Sequence, residues 1–228
     1  MNGLAIDSAI TKITISAKND AHTVTAVFNI GMKQSETLLP AIQYVLNKVD
    51  LSPEKLDYLA ISNGPGSFTG LRLGFSAIKA IEMFSNAKLY GIPTLDVYAE
   101  PYRDFPSTVL SCIDAKKDRF YAKAFCGEKE IIPEGDYTPE EAAELLKSNG
   151  ATENILICGS DARLLSEQLK NISDKKFLPQ DFTINAGEIL LSMAEKKISA
   201  GEPPLNDYDG PFYLRASEAE VKKERSIK

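Results

Sequence analysis

The sequence has one histidine, three cysteines, no excess of basic residues and no long apolar run. Each scarcity closes off a class of function. His22 lies in KNDAHTVTA, a polar turn that leads into an alternating segment. One imidazole cannot build a zinc site that needs several, and three scattered cysteines do not replace the missing ones. Nor can His22 act as the base of a Ser-His-Asp triad, because the chain offers no G-x-S-x-G elbow to present a nucleophile. It reads as an exposed residue at a turn or strand start. Cys112, Cys126 and Cys158 are odd in number, lie in or beside apolar strand-like runs and lack C-x-x-C spacing. They read as buried, reduced thiols of a cytosolic protein.

The formal net charge is -6. A chain that gripped RNA phosphates by itself would carry a basic excess or a Lys/Arg stripe, so any RNA contact is expected to be shared or indirect. No segment approaches the ~18 apolar residues of a membrane-spanning helix, and MNGLAIDSA lacks the basic-then-apolar pattern of an export signal. A cytoplasmic protein with no membrane association is expected. At 228 residues, with 43% apolar and 25% charged, the chain can bury a sizeable core.

GLAID (3–7) reads as a buried strand, and KITISA (12–17) and HTVTAVFNI (22–30) alternate. The chain up to residue 30 therefore reads as three consecutive antiparallel strands. Leu38, Leu39, Ile42, Val45, Leu46 and Val49 then recur at the one-face spacing of a helix. Pro40 fits that helix only near its start or at a kink. LDYLAIS (56–62) is a further buried strand, the loop NGPGSFTG opens a helix up to about Phe84, and KLYGI (88–92) is again a strand. PYRDFPS (101–107) links this unit, 1–104, to a second, 105–228, whose C-terminal helix and tail are free to pack back on the first. STVLSCIDA and RFYAKAFC form a hairpin about 116–118. TPEEAAELLKSNG is a helix with Thr138 as N-cap, Pro139 at its first position and Gly150 at its end. NILICGS is a strand, DARLLSEQLKN a helix, and 185–201 an amphipathic helix stopped by Gly201. The tail begins with an extended aromatic stretch, and its last dozen residues read as a solvated helix or a frayed end. Two units of strands followed by helices suggest a duplicated α/β architecture.

The richest segment, Asn63 to Gly74, reads NGPGSFTGLRLG between a strand and a helix. Such a loop offers free N–H groups to a phosphate, yet it has neither the Gly-Lys of a Walker loop nor the third glycine of G-x-G-x-x-G. In the helix after it, Arg72, Ser76, Lys79 and Glu82 form one narrow polar stripe. Leu71, Leu73, Phe75, Ile78, Ile81, Met83 and Phe84 spread round most of the rest. That is more apolar surface than one sheet can cover. Two readings fit: a helix enclosed in its own domain, or one shared with a partner subunit. Gly70, Gly74 and Ala77 add a strip of small residues where another backbone can approach. Asp7 ends the first strand and Asp114 the equivalent one in the second half. An acidic residue at such a place helps hold magnesium in actin-like ATPases, but neither aspartate is followed by the glycine that lets a phosphate approach the backbone. Each also reads as a turn-capping Asp. Gly159-Ser160 reads either as an adenosine contact or as a plain helix N-cap.

Taken together, AID (5–7), Ser35-Glu36-Thr37-Leu38-Leu39-Pro40, NGPGSFTGLRLG, IDAKKDRFYA (113–122) and the late PFYLR resemble the TsaB (YeaZ) family, through nearly the whole chain. The resemblance implies a two-lobed actin/Hsp70-like α/β fold, each lobe a mixed sheet with flanking helices. It implies a part in making threonylcarbamoyladenosine on tRNAs that read codons beginning with A. The catalytic subunit of that machinery, TsaD, is a paralogue that binds a metal through a histidine pair on its first helix, and a small ATPase, TsaE, joins the assembly. Here the corresponding segment is Met32-Lys33-Gln34-Ser35-Glu36, without histidine. The resemblance therefore implies a non-catalytic dimerisation subunit with no metal and no cofactor of its own, ATP belonging to the assembled complex. Its interface with TsaD would draw on Leu38, Leu39, Ile42 and Leu46 of one helix and Gly70, Leu71, Leu73, Gly74, Phe75 and Ile78 of the other. Family members also self-associate through this surface when alone. Older labels for the family call it glycoprotease-like, but the chain offers no protease nucleophile, base and oxyanion arrangement. The competing reading is an actin-like small-molecule kinase or ATPase that uses Asp7 and Asp114, with Gly159 near the nucleotide.

Overall fold

The computed structural model describes residues 1–180 and 184–215, the side chain of Met32 excepted. The charged last dozen residues, read above as a solvated helix or frayed end, lie outside the described residues. Three strands open the chain: β1 (Gly3–Asp7), β2 (Lys12–Lys18) and β3 (Thr23–Asn29). They pair antiparallel in sequence order. β4 (Tyr58–Ser62) and β5 (Lys88–Ile92) add in parallel on the other side, so the sheet runs β3-β2-β1-β4-β5. β1 is central and buried throughout, which is why GLAID reads as continuous rather than alternating. Parallel neighbours need crossovers, and the two helices α1 (Gln34–Lys48) and α2 (Phe68–Phe84) lie on them.

Leu38, Ile42, Val45, Leu46 and Val49 face the sheet from α1, as their spacing predicts. Leu39 does not: one residue round the helix turns it by about 100°, and it is 61% exposed. Pro40 belongs to the same helix. It sits inside α1, beyond the first turn, on the solvent side.

The second half repeats the first. β6 (Thr108–Lys116), β7 (Arg119–Cys126), β8 (Lys129–Tyr137), β9 (Asn154–Cys158) and β10 (Lys176–Pro179) form a sheet in the order β8-β7-β6-β9-β10. Its antiparallel and parallel pairings match those of the first sheet strand for strand. α4 (Pro139–Ser148) and α5 (Ala162–Leu169) take the places of α1 and α2. α4 starts where the sequence says it does. Thr138 and Glu141 form a reciprocal capping box with Pro139 at the first position, and Gly150 turns the chain away at φ +71. β8 and β10 are not legible as strands. β8 contains Pro133 and Gly135 and survives as an edge strand with irregular register against β7.

Each half ends in a helix that serves the other half. α3 (Thr94–Ala99) packs on β6 and β7, and α6 (Ala186–Ser199) packs on β1, β2 and β4. One buried cluster accordingly joins Tyr58, Ile92, Leu95 and Tyr98 with Ile113, Leu190 and Leu191. No helix of the described residues is long and apolar enough to cross a membrane.

α6 is anchored at Glu195, which accepts hydrogen bonds from Lys18 Nζ (2.8 and 3.0 Å) and from Tyr58 Oη (2.8 Å). Burial opposes ionisation of this carboxyl, yet the Lys18 ammonium and the Tyr58 hydroxyl hold it below the usual carboxylate range. A depressed folded-state pKa stabilises at neutral pH, and that contribution fades as pH falls through the depressed value. Glu195→Gln is expected to lower the thermal midpoint at neutral pH by ~2–4 °C, with the gap closing on acidification below the carboxylate range. Thermal melts across pH check this; a gap that stays constant into acid contradicts the anchor.

Candidate functional site

β1 ends at Asp7, and Ser8, Ala9, Ile10 and Thr11 turn the chain into β2. In a fold whose two sheets present equivalent strand ends to one another, this turn is where main-chain N–H groups could meet a phosphate. Here the chain's own glycine loop packs against the turn. Ser67 N donates to Ala9 O at 2.6 Å, and Ser8 Oγ donates to Gly70 O at 2.8 Å. Gln34 of α1 donates from Nε2 to Ile10 O and Thr11 O at 2.9 and 3.1 Å. The glycines are what let these backbones meet. A Cβ at Gly66 would lie 2.4 Å from Ala9 O, one at Gly70 2.1 Å from Ser8 O, and one at Gly74 2.2 Å from Ser8 Oγ. The strip of small residues along α2 does receive a close approach, but from residue Ser8 of the same chain. Ser67 in turn caps α2, its Oγ accepting from Gly70 N at 3.4 Å.

Asp7 lies beneath this closure and is 1% exposed. Its Oδ1 accepts from Ala9 N (3.1 Å) and its Oδ2 from Tyr98 Oη (3.0 Å), while burial pushes the carboxyl above its usual range. Asp114 caps its own turn, accepting from Lys116 N at 2.7 Å and from Lys116 Nζ at 2.6 Å. Its N–H donates to Asp161 Oδ2 at 2.9 Å. Gly159 adopts φ +105, and a Cβ there would sit 2.0 Å from Cys112 O. Between the lobes remains a cleft of about 440 Å³, lined by Ala9, Ser67, Asp114, Tyr121 and Asp161 among others, and Asp7 does not reach it. Among the described residues no group of three or more His, Cys, Asp or Glu side chains is placed to hold a metal ion.

The helix surfaces differ from the expectation for them. Leu38, Ile42, Leu46, Gly70, Leu71, Gly74, Phe75 and Ile78 are all buried inside this chain. Helical periodicity finds the most continuous apolar stripe, and on both α1 and α2 that stripe faces the sheet. Of the ten proposed interface residues only Leu39 is exposed, with Leu73 half-buried. The solvent side instead carries Leu39 and Tyr44 on α1 and Met83 and Phe84 on α2. These are four of the ten large apolar side chains exposed among the described residues. Met83 and Phe84, more than 79% exposed — 84% and 80% — account for part of the apolar surplus on α2. Tyr44 gave no periodic signal.

The polar stripe of α2 is occupied. Arg72 donates to Tyr213 Oη at 3.2 Å and lies 3.8 Å over the Phe68 ring, and Lys79 donates to Asn206 O at 3.0 Å. His22 is exposed at its turn, as expected. Cys112 and Cys158 are buried, their thiols pushed up by burial, Cys158 to about 12. Cys126 corrects the expectation of three buried thiols: it ends β7 and is exposed.

The family model of TsaD, tRNA N6-adenosine threonylcarbamoyltransferase, matches residues 31–180. Over 223 residues the chain is 30% identical to the tRNA threonylcarbamoyladenosine biosynthesis protein TsaB of Escherichia coli (strain K12), covering 94% of this chain and 95% of that one. It is 24% identical over 230 residues to the TsaB of Bacillus subtilis (strain 168), covering 97% of each. Among solved structures, an uncharacterized Pseudomonas aeruginosa protein with similarity to peptidase YEAZ superposes with a TM-score of 0.78 at 21% identity, covering 94% of this chain and 99% of that one. That likeness concerns the fold, two five-stranded mixed sheets with flanking helices.

The closure of the turn can be tested by adding one methyl group. Gly70→Ala is expected to destabilise the protein by about 1–3 kcal/mol, although alanine is the better helix former by ~1 kcal/mol. Gly210→Ala, where an added Cβ meets nothing within 4 Å, is expected to be near neutral. Denaturant titrations of both variants check this, and equal stabilities would contradict the close approach of Ser8.

Proposed function

The chain belongs to the TsaB (YeaZ) family, with a role in tRNA threonylcarbamoyladenosine biosynthesis, and from that premise we propose that it is a non-catalytic subunit. On this reading it docks on TsaD, the related threonylcarbamoyltransferase, and supports a reaction carried out there. The observation that carries the proposal is the filled turn after β1. The strand-end aspartate is present, but both its oxygens are engaged by Ala9 N–H and the Tyr98 hydroxyl. The loop 64–70 packs on the turn through Ser67 N on Ala9 O and Ser8 Oγ on Gly70 O, which on this reading bars a phosphate. A chain that kept the fold and closed this place is suited to binding a relative rather than to phosphoryl chemistry. The same contacts weigh against a small-molecule kinase using Asp7 and Asp114.

Docking is supported by the outer sides of α1 and α2, where Leu39, Tyr44, Met83 and Phe84 stand in water. Large apolar side chains on two adjacent helices are a common basis for subunit contact. The interface thus moves from the sheet-facing residues to these four, with Leu73 at its margin. ATP and TsaE, on this reading, belong to the assembled complex, tRNA is met through it, and the same face pairs two copies when the chain is alone.

Leu39→Glu and Phe84→Glu are each expected to weaken complex formation with the catalytic subunit by about tenfold or more, while the thermal midpoint of the free chain stays within ~2 °C. A tRNA modification assay should show no activity from this chain alone, activity when both subunits are mixed, and loss of that gain with the variants. Undiminished affinity in both variants would remove this surface from the proposal; modification by the isolated chain would refute the non-catalytic role.

A further inference from the structure

The segment 205–215 has no helix or strand, yet it is tied down along its length, and its ends are tied to different lobes. Leu205 N donates to Leu89 O of β5 at 2.8 Å, and Phe212 N donates to Asn63 O, just beyond β4, at 2.6 Å. Between them Lys79 of α2 donates to Asn206 O, and beyond them Arg72 donates to the Tyr213 hydroxyl. The Tyr213 ring lies 4.7 Å from that of Phe68. Even the conformation of the first lobe is shaped to receive the segment. Gly64 holds φ +122, and a Cβ there would lie 2.2 Å from Phe212 O.

Two residues after Tyr213 the chain is on the second lobe. Arg215 donates to Asp136 Oδ2 of β8 from Nε at 2.9 Å and from Nη2 at 2.6 Å, and to Ala115 O of β6 from Nη1 at 3.1 Å. The other oxygen of Asp136 accepts from Arg119 Nε at 3.0 Å, so one carboxylate sits between two guanidinium groups. Beneath 212–215 lies a void of about 220 Å³, with Pro65, Gly66 and Phe68 on one wall and Lys116, Lys117 and Tyr121 on the other. The segment therefore passes over the junction of the lobes as well as joining them.

The two attachments differ in kind. On the first lobe they include main-chain hydrogen bonds, a ring contact and a glycine-dependent backbone approach. On the second they are side-chain bonds of Arg215. That ion pair is partly open to water, with side-chain exposures of 32% and 19%, and such pairs are weakened by salt and by competing charges. We propose that 205–215 is a latch: fixed to the first lobe, clasped to the second through Arg215 on Asp136, and holding the lobes closed over the cleft between loop 64–70 and turn 114–118. Because Arg72 and Lys79 hold the latch along α2, the state of the cleft is mechanically joined to the helix that carries Met83 and Phe84. The latch rests on contacts within this chain and stands whether or not the family role is as proposed above.

Hydrogen–deuterium exchange on the full chain tests it. In Arg215→Gln, amides at the cleft (Ser67, Asp114 and Lys116) are expected to exchange at least about fivefold faster, while amides of β1 and of the inner part of β6, 108–112, keep their rates. Arg215→Lys, which retains the charge but not the fork, should fall between the two, and raising the salt concentration should move the unaltered chain in the same direction. Unchanged cleft amides in both variants would overturn the proposal. So would a uniform acceleration through both sheets, since Arg215 would then serve the fold as a whole and not the junction.

Discussion

The contact between Ser8 and Gly70 is the constraint on which the rest of this molecule depends. The Ser8 hydroxyl reaches the Gly70 carbonyl at 2.8 Å only because positions 70 and 74 carry no side chain. With Ser67 N on Ala9 O, it sets the first turn of α2 directly on the turn after β1. α2 in that position brings its apolar stripe onto the sheet and its polar stripe under the segment 205–215. α1 is drawn in as well, through Gln34 on the carbonyls of Ile10 and Thr11. A glycine-rich loop before a helix is often a phosphate cradle. In this chain the glycines admit the chain's own backbone instead, Gly66 against Ala9 and Gly70 against Ser8.

Duplication explains how the lobes are built, and the exchange of helices explains how they are joined. Both sheets follow one strand order, but α3 of the first half lies on the second sheet and α6 of the second half lies on the first. The apolar cluster around Tyr58, Tyr98, Ile113 and Leu190 consequently belongs to neither half alone. Polar links add direction to this apolar contact. Asp96 of α3 pairs with Lys123 of β7 at 3.0 Å, and Glu195 of α6 is held by Lys18 and Tyr58 of the first sheet. At the cleft, the latch adds the bonds of Arg215 to Asp136 and Ala115.

Much of this architecture was legible in the sequence wherever local chemistry acts alone. Alternation marked β2 and β3, a continuous apolar run marked β1, and Thr138, Pro139 and Gly150 bounded α4. What failed did so because it depends on distant partners. β8 carries Pro133 and Gly135 and is a strand only because β7 lies beside it; β10 has four residues and α3 six, too few for a period to show. The small residues at 70 and 74 announced a close approach without saying whose backbone makes it. For the candidate interface, periodicity selects the stripe facing the sheet, so it picks out Leu38, Leu71 and Ile78, which are buried in this chain, and passes over the exposed Tyr44. The aromatic run 211–215 was visible, but its partners Asn63 and Asp136 lie far back along the chain, Asp136 by 79 residues, and leave no local trace.

A closed turn and a supporting role are one claim seen from two sides, and magnesium-ATP is the ligand that separates them from their contrary. Calorimetric titration of magnesium-ATP into the isolated chain measures this directly. The expected result is no saturable heat, in the unaltered protein and in Asp7→Asn alike. Saturable binding that disappears in Asp7→Asn would mean that the turn after β1 opens to a phosphate, and the central claim would be wrong.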